Sequence, residues 1–223
     1  MPLTGPGIFP TTTTAIDRRT FGDCKAELAR PMNPDDENTL AIAGDSINSA
    51  IRAFNRFLWP WEILTQDISF TSGVETYRLD VPFKKPLSFY YTDSNGRRIR
   101  RIHWQPYDSF VLEYGLKSDG SPAIYTMRNE FETGLLTVAP RPISSDTAQL
   151  DYYRSTPTLQ RDETPIEMPE YALEAVMQWA WFEMYKRMPG RERLIPQARL
   201  DAASARAELV GLCALRGDQT GPG

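Results

Sequence analysis

Four carboxylates crowd one short stretch, Asp162, Glu163, Glu167 and Glu170, and two carboxylates are all that glycoside hydrolysis requires. They sit in a Pro-rich turn and at the start of the helix it leads into, near Pro169, where acids stabilise the positive end of the helix dipole. Capping accounts for them without catalysis. The single histidine, His103, stands beside Trp104 at the end of an Arg-rich strand. With no second His or Cys nearby, it reads as an edge-strand residue rather than a metal ligand. Neither Cys24 nor Cys213 has a local histidine partner for nucleophilic catalysis. No Gly-rich phosphate loop follows a strand, and the GxSxG, HExxH and P-loop patterns are absent. The expectation is a non-enzyme with no catalytic residue, no metal and no cofactor.

The other chemical cluster is basic. Arg97, Arg98, Arg100 and Arg101 surround Ile99 and could touch phosphates, with Trp104 or Tyr107 nearby to stack on bases. An edge strand kept from sticking by charge explains them as well, and the two roles coexist if the strand faces a channel through which DNA passes transiently. A dedicated nucleic-acid binder is disfavoured, because 25 basic residues against 29 acidic ones leave a net charge of −4. Two cysteines in 223 residues make no disulfide framework, and a reducing, cytosolic origin fits. No apolar run approaches the roughly 18 residues that span a bilayer, and no charged-then-apolar signal opens the chain. A soluble, non-secreted protein is expected, with no membrane partner.

The elements that would position these residues follow from periodicity. Residues 1–17, rich in Pro, Gly and Thr, form a flexible arm. Thr20 and Asp23 cap a short helix with Phe21, Cys24 and Leu28 on one face. Asn33 caps a second helix through Pro34, Asp35 and Asp36. Its apolar stripe runs through Leu40, Ala43, Ile47, Ile51, Phe54 and Leu58 until Pro60 stops it. From Glu62 to Thr156 the period becomes two. Asp67–Phe70 and Glu75–Leu79 make a hairpin about Ser72-Gly73, and Pro86–Tyr91 with Arg98–Trp104 a second about Asn95-Gly96. A helical interlude over 106–114 and strands at 123–128, 135–139 and 149–154 complete a sandwich or small barrel.

Helix returns at Pro169. Leu173, Val176, Met177, Ala180, Trp181, Met184 and Met188 form one stripe, and Tyr171, Ala175, Trp179 and Phe182 another, so this helix buries two faces. One meets the first helical segment; the other meets the sheet or a neighbouring subunit. An Ala-rich last helix runs from about 191 to 215, and 217–223 is a loose tail. The expected fold is α+β. Helices from 18–60 and 168–216 pack as one bundle, and an antiparallel β-sandwich or barrel, 61–167, is inserted between them.

Two junctions carry a resemblance. Asp45-Ser46-Ile47-Asn48-Ser49-Ala50-Ile51-Arg52-Ala53-Phe54-Asn55-Arg56 running into Trp59-Pro60-Trp61 resembles the signature of head-to-tail adaptor (connector) proteins of tailed bacteriophages, of the short-tailed-phage tail accessory or tubular type. Gly73 with Tyr77, Gly120-Ser121-Pro122 before Tyr125, and Pro140-Arg141-Pro142 continue the pattern. Leu150-Asp151-Tyr152-Tyr153-Arg154, through Thr158, Asp162, Pro165, Met168-Pro169 and Tyr171, is its best match. The resemblance spans about residues 20–210. It implies a structural virion protein at the neck of the particle, made in the host cytoplasm. Such adaptors form a ring, typically of twelve copies, under the portal protein, extend the DNA channel and hold the packaged genome. They also present a platform to the tail nozzle or tail fibre proteins. Trp179, Phe182, Leu209, Leu212 and Leu215 are then the candidate subunit or portal interface, and Arg97, Arg98, Arg100 and Arg101 the candidate contacts to genomic DNA. The alternatives are a tail-associated peptidoglycan hydrolase, with Glu167 and Glu170 as its acids, and a DNA-contacting module. The arm is longer than the family minimum.

Overall fold

The computed structural model describes residues 19–33, 35–114, 118–130 and 133–217; the expected arm over 1–17 and the tail beyond Gly217 lie outside them. The first helix, α1 (Phe21–Ala29), starts at the Thr20–Asp23 capping box, whose two reciprocal hydrogen bonds are both present. The second, α2 (Glu37–Phe54), is capped by Asp36 and not by Asn33. The Asp36 carboxylate accepts from both the backbone N–H and the hydroxyl of Thr39, a double grip that decides between two capping residues three positions apart. The same helix ends one turn earlier than the stripe predicts. Asn55 is its C-cap, and Leu58, 44 % exposed, lies outside it.

Two packed sheets follow. One runs in the order β1 (Ile63–Ser69), β10 (Thr147–Arg154), β3 (Phe83–Thr92), β4 (Arg98–Arg101). The other runs β2 (Thr76–Leu79), β8 (Thr133–Ala139), β7 (Ile124–Glu130), β5 (His103–Trp104). A two-stranded ladder, β6 (Asp119–Gly120) with β9 (Arg141–Pro142), sits beside them. The helix α3 (Tyr107–Tyr114) falls where the interlude was expected. All neighbours within the first sheet are antiparallel; β5 on β7 is parallel.

Two expected pairings are overturned. Asp67–Phe70 and Glu75–Leu79 form no hairpin: β1 pairs with β10 and β2 with β8, in different sheets. The turn at Thr71–Val74 exists, with Gly73 at φ +79°, but it carries the chain across the core. Buried Phe70 stands at that crossing, edge-on to Tyr77, Phe89 and Tyr91. The Tyr77 hydroxyl pins the corner by donating to Val74 O and accepting from Thr71 N. Arg98–Trp104 is likewise split at buried Ile102, its first half in one sheet and its last two residues in the other. The Asn95-Gly96 hairpin joins β3 to β4 as expected, with Gly96 at φ +74° and Asp93 accepting from the N–H groups of Asn95 and Arg97.

Side chains from both sheets make one interior, centred on Phe89, Tyr125, Leu136, Leu150 and Tyr152. Burial raises the phenol of Tyr152 to about 12, and its hydroxyl donates to Gln66 Oε1 at 3.0 Å. Gly134 of β8 lies against Leu79: a Cβ there would come within 2.8 Å of Leu79 Cδ1 and 3.2 Å of the Val81 carbonyl. Leu79 is buried, and its Cβ, also at 3.2 Å, is fixed to the backbone. Gly134→Ala is therefore expected to cost about 1–3 kcal/mol in urea denaturation, whereas alanine at Gly211, where nothing lies within 4 Å, should not destabilise.

The second interior is helical. The helices α4 (Glu170–Arg187) and α5 (Ile195–Gly217) complete it, with α4 lying between α2 and α5. The second face of α4 therefore meets the chain's own last helix and not the sheet. Leu159 and Ile166, from the long link after β10, also belong to this cluster, as does Trp59. The α+β class is what the structure shows, with helices at both ends of the chain and antiparallel sheets between.

Candidate assembly surfaces

The Trp59-Pro60-Trp61 step is a joint. Trp59 before the proline is extended, at φ −102° and ψ 139°, which turns the chain out of α2. Its indole N–H then donates to the Phe54 carbonyl at 2.9 Å, which also accepts from the Phe57 N–H at 3.0 Å, so both bonds fall on one carbonyl of the helix end. The ring stacks on Trp61 at 5.0 Å and on Phe54 at 5.8 Å, while Trp61 meets Tyr171 of α4 edge-on. Glu62 accepts from the Trp59 backbone N–H and from Lys84 Nζ of β3, which also donates to the Phe57 carbonyl. One short step thus ties α2, α4 and the sheet together.

The other junction is tied by charge. Tyr153 pairs with Ile63 and Lys85 across β10, and Arg154 reaches Glu167 at 2.5 Å. Pro169 starts α4, its carbonyl accepting from the Ala172 and Leu173 N–H groups. Glu170 meets Arg19 at 3.2 Å, and Arg19 also pairs with Glu27. Asp162 accepts from Lys25. Arg19, Arg154, Glu167 and Glu170 all line a cavity of about 490 Å³ between α4 and the start of β1. Its charges are matched ion pairs, not an acid facing a base. Exposed His103 uses its backbone N–H on the Ala123 carbonyl, and among the described residues no group of His, Cys, Asp and Glu could hold a metal ion. Cys24 is buried, which pushes its thiol up, and Cys213 is half-buried on α5.

The four arginines do not converge. On the outer face of the sheet, Asp151 accepts from Thr65, Ser88 and Arg98. Arg98 also grips Gln149 and lies over Tyr90. Arg101 also lies over Tyr90, at 6.0 Å, and Arg100 lies over Tyr91 at 4.3 Å, donating to the Pro122 carbonyl. Arg97 sits in the turn, its backbone held by Asp93. Each guanidinium of β4 stacks on a ring of β3, which protects this edge and disperses the charge.

The expected interface residues divide in the same way. Leu209 is 2 % exposed and packs inside the helical cluster. Trp179 and Phe182 are half-buried. Trp179 meets Phe54 edge-on and carries Arg206 of α5 over its ring. Leu212 is 45 % exposed; Leu215 lies in α5, its side chain outside the described set.

Two features escaped the sequence. Asn48 and Asn55, seven residues apart on α2, each hold the link after β10 with both ends of the amide. Asn48 bonds the Leu159 C=O and N–H at 3.0 and 2.9 Å, and Asn55 bonds those of Thr156 at 2.8 and 3.1 Å. Two amides near an apolar helix face were the available signal. The second feature is on α5, which packs Ala198, Ala202, Ala205 and Leu209 inward. On its opposite side Leu200, Ala203, Ala207, Val210, Gly211 and Ala214 form an exposed stripe at the same three- and four-residue spacing, with Leu200 65 % and Val210 50 % exposed. Arg199 and Arg206 flank it on one side, Asp201 and Glu208 on the other.

No helix among the described residues is long and apolar enough to cross a membrane. No curated protein matches the chain. The family model of the SU10 adaptor protein matches residues 19–221, from the first described residue through both junctions and α5. The chain belongs to the SU10 adaptor protein family, a family of bacteriophage head-to-tail adaptors.

Proposed function

We propose that the protein is a structural component of the virion neck, assembling as a ring of copies between the portal and the tail nozzle or fibres and lengthening the DNA channel. Family membership supports the structural adaptor role. The observation that carries the assembly role is the outer stripe of α5. A lone soluble domain covers an apolar helix face; here one face of α5 is covered by α4, and an equally regular one faces solvent. Its alanines and glycine allow a partner helix to approach closely, and its opposite-signed flanks fix which way round that partner sits. The stripe is the docking face for the portal. Copy number twelve and transient DNA contact by Arg97 and Arg101 are parts of the same proposal.

The double variant Leu200→Glu with Val210→Glu tests it. Wild-type chain mixed with purified portal rings should add as a stoichiometric layer in mass photometry. The variant should bind at least roughly 100-fold more weakly while its thermal unfolding is unchanged, since neither side chain is buried. Failure of the wild-type chain to bind a portal ring, or equal binding by the variant, overturns the assignment.

A further inference from the structure

The packed helices α4 and α5 carry opposite charge on their two flanks. Residues two apart on a helix point about 200° away from each other, and both helices place such a pair astride their contact. On α5, Arg206 and Glu208 stand on either side of the line that packs inward through Ala202, Ala205 and Leu209. On α4, Trp179 and Trp181 divide in the same way. Trp179 lies beneath Arg206, and Trp181 lines a groove with Glu208.

The Arg206 flank is a braced cation. Its guanidinium lies 5.5 Å from the ring of Phe57 and 5.4 Å from that of Trp179, and it has no carboxylate partner among the described residues. A cation held over two rings loses little side-chain freedom on docking. Phe57 is 40 % exposed, and Leu58, next to it past the end of α2, 44 % exposed, so apolar surface accompanies the charge.

The opposite flank is concave. A groove of about 430 Å³ lies among α1, α4 and α5, lined by Tyr171, Trp181 and Leu212 together with Glu174 and Glu208. Glu27, also in its wall, is matched by Arg19. Glu174 and Glu208 are exposed and have no basic partner among the described residues, Glu208 accepting from Ser204 of its own helix at 3.3 Å.

We propose, resting on assembly as a ring of copies, that the Arg206 flank of one copy seats in this groove of a second copy. Phe57 and Leu58 then meet Trp181 and Leu212, and Arg206 gains the two carboxylates it otherwise lacks. Charge selects this pairing, because either flank set against itself brings like charges together. The flanks lie on opposite sides of one helix pair, so a copy that offers its cation still has its groove open. Such a head-to-tail contact repeats from copy to copy and closes as a ring where the rotation allows. The outer stripe of α5 lies between the flanks and stays clear for the portal.

Charge reversal in the full-length chain tests this without a portal. Wild-type protein should self-associate in sedimentation velocity as its concentration rises, and less so as salt is added. Glu174→Arg with Glu208→Arg in one chain, and Arg206→Glu in another, should each weaken that association at least roughly tenfold. An equimolar mixture of the two variants should regain it, since each flank then meets its opposite charge on the other chain. That rescue also separates a lost contact from a lost fold. Wild-type protein that stays monomeric at every concentration, variants that associate as it does, or a mixture no better than its parts overturns the proposal. Portal binding is read separately. A wild-type layer on portal rings alongside any of these failures keeps the neck role and removes this contact alone, whereas absence of the layer removes the role itself.

Discussion

Asn48→Ala is expected to lower stability by about 2–4 kcal/mol, more than any exposed substitution on α2. The Asn48 side chain is buried and makes two hydrogen bonds to one residue, donating to the Leu159 carbonyl and accepting from its N–H. Leu159 is itself buried in the helical cluster. Alanine would leave one buried donor and one buried acceptor with no partner, and each carries a desolvation penalty of about 1–3 kcal/mol. A water entering the space would recover part of it, which sets the range below the full sum. Asn48→Asp should be no better: it retains an acceptor for the N–H but points a carboxylate at the Leu159 carbonyl. Asn55→Ala removes the same pair of bonds at a half-buried site, where solvent replaces them, and should cost about 1 kcal/mol. Urea denaturation gives the totals, and the Leu159 amide should lose exchange protection in Asn48→Ala specifically. A loss no larger than that of Asn55→Ala would show that the link is held by its apolar contacts instead.

What could be read from the chain alone divides along a physical line. Local signals were legible. The capping box at Thr20, the Asn95-Gly96 turn and the all-round apolar character of α4 depend on residues a few positions apart, and each appears in the fold. Partners distant in sequence were not legible. Alternation around Ser72-Gly73 marks two strands, but nothing local says that β1 will find Thr147–Tyr153 and β2 will find Gly134–Thr137. The aromatic corner reads as a helix stop. Its bond to the sheet through Lys84 is invisible, because a lysine followed by another lysine and a proline looks like surface. Leu209 illustrates the same limit on α5. Two apolar stripes share that helix, and which one faces inward is decided by α4: Leu209 lies on the inner one, Leu200 and Val210 on the outer. The arginines were legible as an edge; their dispersal over Tyr90 and Tyr91 required the strand register.

The buried pair at the corner carries the second large effect. Lys84→Met is expected to cost about 3–5 kcal/mol, because it strands the Glu62 carboxylate in an interior where both side chains are less than a tenth exposed. Burial pushes the Glu62 carboxyl above its ordinary 4.5, and the hydrogen bond and charge of Lys84 oppose that rise. Burial likewise pushes Lys84 down, opposed by Glu62. Without the ammonium the carboxyl rises further. A folded-state pKa above the unfolded one means that the folded protein holds the proton more tightly. The contribution is then fully present below the unfolded value and lost as pH rises through the folded one. The penalty of Lys84→Met should therefore be smallest near about pH 4.5 and grow toward about pH 7.5. It is best taken as a difference from the parent protein. Hydrogen bonds from Thr20 and Thr39 hold the Asp23 and Asp36 carboxyls low, and their contribution fades in both proteins alike as the pH falls. Adding Glu62→Gln should restore most of the loss: the amide carbonyl still accepts from the Trp59 N–H, and no charge remains buried. A penalty that ignores pH, or a double variant as unstable as Lys84→Met alone, would mean that the lysine stem packs the corner and its charge is incidental.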